Sequence, residues 1–298
     1  LDATQSVDSI RDRYQSRQRA RLERGGVVGL EWPWPHLNEV TGGLREADFW
    51  IDFADAKSFK TWINLYKALH VAKTSGKPVL WVTREMAKTE VQDRLFAMFA
   101  KLPCGAFIRG NLLPEDEERL PLAYEEFMDV QPIKIAEIKS NGLDGVTEFQ
   151  AKINEHEPAA AWFDGVYFLS PSRDWKELTT ITSAIRQVTL ATKVPTTAIT
   201  QANKDGLVGY SRSFMQDCTG MMKYICEDEN RRNMEVLIEL PLVRDNPSGE
   251  GSFVVNAKPA WDFRQKRVYS ADSPDGGEGD LKDDGEPDNI VDEPTGEG

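Results

Sequence analysis

The segment Ile51-Asp-Phe-Ala-Asp-Ala-Lys-Ser-Phe-Lys-Thr-Trp62 holds residues whose types and spacing suit phosphate chemistry. A short apolar run, Phe49-Trp50-Ile51, feeds a polar loop, and Lys60-Thr61 then opens a helix. A phosphate-binding loop has the spacing glycine, four residues, glycine, lysine, then serine or threonine. That spacing is kept here, with Ala54 and Phe59 at the two glycine positions. Lys60 can reach terminal phosphates, Thr61 can ligate Mg²⁺, and a helix N-terminus favours an anion. Ala54, Lys57, Ser58, Phe59, Lys60, Thr61 and Trp62 are therefore the candidate nucleotide-binding residues. Phe59 is the difficulty, because it brings a Cβ and a ring to a place where backbone N–H groups must approach oxygen closely. Lys57 can add charge that a lost N–H contact would remove. Alone, this stretch reads better as a plain strand-to-helix turn, so its meaning depends on residues further along the chain.

Asp164 ends the apolar run Ala161-Trp-Phe163. A lone carboxylate at a strand tip, well after a phosphate loop, suits the acid that holds a Mg²⁺ hydration shell. Thr61 and Asp164 are thus the candidate metal residues. Glu85 follows Val79-Leu-Trp-Val-Thr83 and can orient an attacking water, or simply start a helix. Gln201 ends Val194-Pro-Thr-Thr-Ala-Ile-Thr200 and can sense a terminal phosphate, or be a solvated strand end. Arg244 lies in the turn Leu242-Val-Arg-Asp-Asn-Pro-Ser-Gly249, from which an arginine can reach a phosphate across a subunit boundary. The glycine-bearing stretch Asn203–Phe214 contains Lys204, Gly209 and Arg212, all suited to nucleic-acid phosphates.

These residues must be positioned by alternating strands and helices. Strands are expected at Phe49–Phe53, Val79–Thr83, Pro132–Ala136, Ala160–Leu169 and Val194–Thr200. Helices are expected from Lys60, Lys88, Glu115, Val146 and Trp175. The third of these is expected to be helical despite Pro121, a residue able to kink or split it. From Met221 the pattern gives strands without helices, around Lys223–Cys226, Met234–Val243, Ser252–Ala257 and Ala260–Phe263. Such alternation predicts an α/β fold: a mostly parallel sheet flanked by helices, with antiparallel strands at the C-terminal edge. Ligands then sit at the carboxyl ends of the strands. Thr4–Glu23 reads as an Arg-rich helix with a narrow apolar stripe, too thin to join a core. Trp32-Pro-Trp-Pro35 reads as a stiff connector, and Leu37–Leu44 as a turn-rich lead-in.

The chain has 298 residues, 40% hydrophobic and 29% charged, which suits a folded globular protein with a real core. No apolar stretch approaches a membrane span, and no secretory leader opens the chain. Cys104, Cys218 and Cys226 lie scattered, which argues against a disulfide framework and fits a reducing cytoplasm. His36, His70 and His156 are equally scattered and suggest no metal site. The net charge of −13 is concentrated after Tyr269, where eleven carboxylates face Lys282 alone. Such a tail is expected to be disordered, and either solubilises the chain, docks on a basic partner or competes with DNA as a mimic.

The order LNEVTGGL, the Lys60-Thr61 loop, VLWVTREM, WFDGVYFL, VPTTAITQANK, QDCTGMM and VRDNPSG resembles the RecA-like motor domain of DnaB-type replicative helicases, of a phage kind. The likeness runs from about Leu30 to Phe263. It implies a P-loop NTPase core at 28–268, a linker helix at 1–27 that docks on the adjacent subunit, and an acidic tail at 269–298. It also implies ATP and Mg²⁺ as cofactors. In that family pattern Lys60 and Thr61 bind phosphates and Mg²⁺, Glu85 is the catalytic base, Asp164 the second-motif acid, Gln201 the sensor, and Arg244 a finger supplied in trans. The loops Ser170–Asp174, with Arg173, and Asn203–Phe214 would line a channel for single-stranded DNA in a hexameric ring. A primase, a polymerase or a loader is the implied partner, in the cytoplasm (of the host, for a phage protein), with no membrane involved. The chain departs from the pattern at Phe59, at Leu242 where many members carry lysine, and at Asn246 where they carry glycine. Two other readings stay open: a degenerate subunit with weak or no ATPase that binds DNA or loads a partner, and a RecA-type recombinase.

Overall fold

The computed structural model describes residues 3–23, 26–130, 133–172, 175–202, 216–245, 251–257 and 261–269. A nine-stranded sheet organises them. The parallel strands are β1 (Phe49–Ala54), β2 (Val79–Thr83), β3 (Ile133–Glu137), β4 (Ala161–Asp164), β5 (Thr196–Gln201) and β6 (Gly220–Ile225). The antiparallel edge is β7 (Glu235–Val243), β8 (Ser252–Asn256) and β9 (Gln265–Tyr269). The order across the sheet is β3-β2-β4-β5-β1-β6-β7-β8-β9, so β1 lies in the middle with β5 and β6 beside it. β1, β2 and β4 are buried along their whole length. Continuous apolar runs rather than alternation are what a strand covered on both faces requires.

The helices are α1 (Ala3–Glu23), α2 (Pro35–Thr41), α3 (Lys60–Ser75), α4 (Lys88–Phe99), α5 (Cys104–Arg109), α6 (Pro114–Val130), α7 (Gly142–His156), α8 (Trp175–Thr192) and α9 (Asp228–Asn233). One apolar cluster lies under α3 and α4 and gathers Ile63, Leu69, Val91, Leu95, Trp81 and Phe253. A second lies on the opposite face under α7 and α8, with Phe149, Phe163, Ile181 and Ile185. A buried polar knot joins α3 to the sheet. The Lys67 ammonium donates to Asp52 and sits 5.0 Å from the Trp32 ring centroid, while the Tyr224 hydroxyl also donates to Asp52. All three side chains are sealed from solvent.

Several expectations need correction. Trp32 and Trp34 are not a connector between units; both are fully buried, Trp34 Nε1 donating to Phe263 O at 2.7 Å. The lead-in after them is largely helical, because Pro35 at its first turn and Gly42 in the left-handed C-cap frame α2. Pro121 lies inside α6, which runs on as a single helix. The expected strand Ala160–Leu169 stops at Asp164, and a 3₁₀ turn occupies Val166–Leu169. Gly165 makes the break, with φ 87°, a conformation open to glycine at little cost. A short helix, α9, interrupts the C-terminal strands, opened by a capping box between Glu227 and Asn230. Among the described residues the last strand is Gln265–Tyr269, and 261–263 of the expected strand lie in a turn and irregular chain before it. The expected acidic tail lies outside the described residues, and none of Cys104, Cys218 and Cys226 is in a disulfide.

Candidate active site

The four parallel strands that lead to Lys60, Glu85, Asp164 and Gln201, namely β1, β2, β4 and β5, end at the same edge. In register, Ala54 at the end of β1 faces Gln201 on β5 and Tyr224 on β6. Asp164 on β4 faces Thr83 on β2 and Ile199 on β5. Glu85 follows Thr83 by two residues, so it too belongs to this rim. The loop 55–59 leaves β1 here and turns into α3, whose N-terminus has no side-chain cap. The first N–H groups of a helix lack partners within it, so they remain donors for an anion.

Phe59 resolves its own difficulty by backbone conformation and by packing. It caps α3 in the left-handed region, φ 60° and ψ 13°, where a glycine would sit without strain. Lys57 does the same at φ 64° and is exposed. For a residue with a Cβ this costs about 1–2 kcal/mol. The Phe59 ring packs against the core beneath α3, edge-on to Phe263 at 6.3 Å between centroids. The turn a glycine normally makes is therefore made, and the ring is held by the core. Ser58 is buried beside it. Trp62, one helical residue beyond Thr61, has the Arg94 guanidinium 5.6 Å above its ring.

Lys60, 9% exposed, donates from Nζ to the carbonyls of Ala54 at 3.2 Å and Asp55 at 3.4 Å. Burial pushes its amine down, and the charges of Glu85, Asp164 and Asp55 oppose that. Thr61 Oγ1 donates to Asp164 Oδ2 at 3.3 Å. Asp164 Oδ1 is buried and has no hydrogen-bond partner. Burial first, and the Glu85 carboxylate second, push the Asp164 carboxyl up to about 7, against the pull of Thr61, Lys60 and Arg94. A buried carboxylate with an orphan oxygen beside a threonine hydroxyl suits a divalent cation and its waters. Among the described residues no cluster of three or more His, Cys, Asp or Glu side chains is placed to cage a metal.

Glu85 and Gln201 meet through a residue that sequence reasoning missed. The Tyr167 hydroxyl donates to Glu85 Oε2 at 2.8 Å and accepts from Gln201 Nε2 at 3.0 Å. Tyr167 was hidden because Ala160–Leu169 read as one strand; the glycine after Asp164 was the available signal of a turn. Arg94 was missed as well, although its place on α4, nine residues past Glu85, puts its charge near Asp164. Its Nη1 also lies 2.8 Å from Met86 Sδ.

Arg244 is not brought into this group. It follows β7, its N–H bonds Thr219 O, and its Nη2 donates to Gln216 O at 2.7 Å. Thr219 in turn bonds Phe49, at the start of β1, whereas the phosphate loop leaves the end of β1. Five steps of ~3.3 Å along the strand separate those ends by about 17 Å. Arg173, Lys204, Gly209 and Arg212 lie outside the described residues.

A family model, the DnaB-like helicase C terminal domain, matches residues 29–206. A probable plasmid replicative DNA helicase of Chlamydia psittaci is 20% identical over 203 residues, covering 66% of this chain and 44% of that protein. Among solved structures, one described as an ATPase domain superposes with a TM-score of 0.75 at 16% identity, covering 88% of this chain and 98% of that one. A DnaB-like replicative helicase, solved in a study of its interactions with primase, gives a TM-score of 0.71 at 16% identity over 84% of this chain and 65% of its own. A KaiC-like protein of Pyrococcus horikoshii shares the fold more loosely, with a TM-score of 0.57 at 12% identity over 80% of this chain and 98% of its own. The chain thus spans less than half the length of the curated helicase it matches. The matched family covers the phosphate loop, Glu85, Asp164 and Gln201, and the fold is the RecA-like ATPase fold of its structural neighbours. This chain belongs to the family of DnaB-like helicase C terminal domains.

Proposed function

We propose that this chain is an ATP-hydrolysing motor of DNA replication that moves on single-stranded DNA as a hexameric ring. The observation that carries the reading is the buried, unpartnered Asp164 Oδ1 beside Thr61, on the rim where Lys60 and Glu85 also lie. In this reading Lys60 exchanges the carbonyls of Ala54 and Asp55 for terminal phosphate oxygens. Thr61 and Asp164 hold Mg²⁺ and its waters. The bound ion supplies positive charge against the phosphate oxygens. Glu85 orients the attacking water, and Gln201 meets the terminal phosphate. The reading of a subunit with little ATPase drew its support from Phe59, and the packing of that ring against Phe263 weakens the ground for it.

A ring is supported by two features. Arg244 stands at the end of the sheet away from its own Lys60, so it can act only on a neighbour's phosphates. The exposed surface of α1 carries five arginines with Ile10, Tyr14 and Leu22, whereas α6 carries seven carboxylates with exposed Leu122, Tyr124 and Met128. Opposite charge around apolar points suits α1 of one subunit to α6 of the next. Arg173, Lys204, Gly209 and Arg212 supply the DNA contacts in this reading, and a primase, polymerase or loader is the partner. No described helix is long and apolar enough to cross a membrane; the cytoplasm (a host's, for a phage protein) is the proposed setting. The test is steady-state ATP turnover with and without single-stranded DNA. Stimulated turnover that Lys60→Ala lowers by roughly 100-fold or more supports the motor. Retained DNA binding with no turnover in the wild-type chain overturns it.

A further inference from the structure

Tyr167 has no role among the assigned residues, yet it stands between two of them. It is only 5% exposed, and its ring lies 4.4 Å from that of Phe168. The turn that carries it depends on Gly165, where a Cβ would come within 2.8 Å of Phe168 Cδ2 and 3.3 Å of Glu85 Cβ. The backbone is thus folded back until the phenol reaches Glu85. A phenol has one proton to give and lone pairs to accept with. Here the proton goes to Glu85 Oε2 and a lone pair takes the Gln201 amide. The three side chains come from three adjacent strand ends, those of β2, β4 and β5. One Glu85 oxygen is tied by the phenol; in the motor reading the other is the one that meets the attacking water.

We propose that Tyr167 is a positioning residue: its hydroxyl fixes the Glu85 carboxylate and makes that carboxylate's placement depend on where the Gln201 amide points. The inference deepens the motor reading above and rests on it. Hydrogen bonds in a chain polarise one another, so a Gln201 amide drawn to a phosphate oxygen alters the hold of the phenol on Glu85. Phosphate occupancy at Gln201 and water orientation at Glu85 then become one event. A purely structural tyrosine would link neither.

The experiment is a double-mutant cycle on ATP turnover with Tyr167→Phe, Gln201→Ala and the pair. Tyr167→Phe keeps the ring and removes only the hydroxyl. It is expected to lower kcat roughly 10- to 100-fold, with the KM for ATP unchanged within about threefold, since misplacing a catalytic group by about 1 Å has that scale of effect. In the Tyr167→Phe background, Gln201→Ala is expected to add less than about threefold, because two residues acting through one hydroxyl are not additive. Should Tyr167→Phe melt early, Gln201→Glu carries the test. Its carboxylate competes for the phenol proton, and the same fall in kcat is expected. Wild-type turnover that both Tyr167→Phe and Gln201→Glu leave intact overturns this inference alone. Fully additive losses also overturn it alone. A wild-type chain without any turnover overturns the motor reading, and the role of Tyr167 with it.

Discussion

Phe59→Gly separates a blocked phosphate loop from an open one. The native residue holds φ 60°, so glycine relieves about 1–2 kcal/mol of backbone strain. Against that, the ring loses its partial burial in the core under α3, worth about 1–1.5 kcal/mol. Its edge contact with Phe263 adds about 0.5–1.5 kcal/mol. The extra freedom of glycine in the unfolded chain takes away about 0.4–1 kcal/mol more. The net result is a loss of about 0–3 kcal/mol, centred near 1.5, or a fall in Tm of up to about 10 °C. Nucleotide affinity should barely move, because the ring lies on the core. The assay pairs thermal melts with titration of a fluorescent ATP analogue in Mg²⁺. The expected outcome is an earlier melt with affinity within about threefold of wild type. A tenfold or greater gain in affinity, about 1.4 kcal/mol, would mean that the ring obstructs the triphosphate, and the reasoning about Phe59 would be refuted.

Two further outcomes concern the scaffold. Lys67→Met should destabilise the fold by about 3–5 kcal/mol, because it strands Asp52 as an uncompensated buried charge. Adding Asp52→Leu should restore much of that in urea melts; a single variant as stable as wild type would contradict the buried pairing. Glu235, held by Lys266 and Arg267, has its carboxyl lowered by those hydrogen bonds and charges, which outweigh the opposing effect of burial. A lowered carboxylate contributes stability above its unfolded pKa and loses it as pH falls through the folded value. Glu235→Gln should therefore be less stable than wild type at pH 7, with the gap closing below about pH 4.5. A gap that stays constant down to pH 3 would refute the linkage.

Much of this site was legible because it lies on strands with one reading. Phe49-Trp-Ile51, Val79–Thr83 and Val194–Thr200 are apolar runs bounded by polar loops, and each became a buried parallel strand within two residues of the expected limits. Lys60, Thr61, Glu85, Asp164 and Gln201 follow from those limits, since parallel strands put their last residues on one rim. What was not legible depends on long-range packing. Trp32 and Trp34 look like a proline-stiffened connector, and only contacts distant in sequence make them core: Trp50 and Lys67 for Trp32, Phe253 and Phe263 for Trp34. The run Ala160–Leu169 is apolar on both sides of Asp164-Gly165, so periodicity alone could not place the break there, nor find Tyr167 beyond it. Phe59 misled for a different reason. Sequence shows that a side chain is present, but the left-handed turn that sends its ring to Phe263 is a tertiary outcome.

A structure with a non-hydrolysable ATP analogue and Mg²⁺ bound is the most direct test of the account. The expected result is a triphosphate lying on the 55–60 loop and the N-terminus of α3, with Lys60 Nζ withdrawn from the Ala54 carbonyl onto a phosphate oxygen. The cation would stand between Thr61 and Asp164, and Phe59 would still rest on Phe263. A loop left empty at saturating nucleotide, or a triphosphate seated only after the Phe59 ring has left the core, would contradict it.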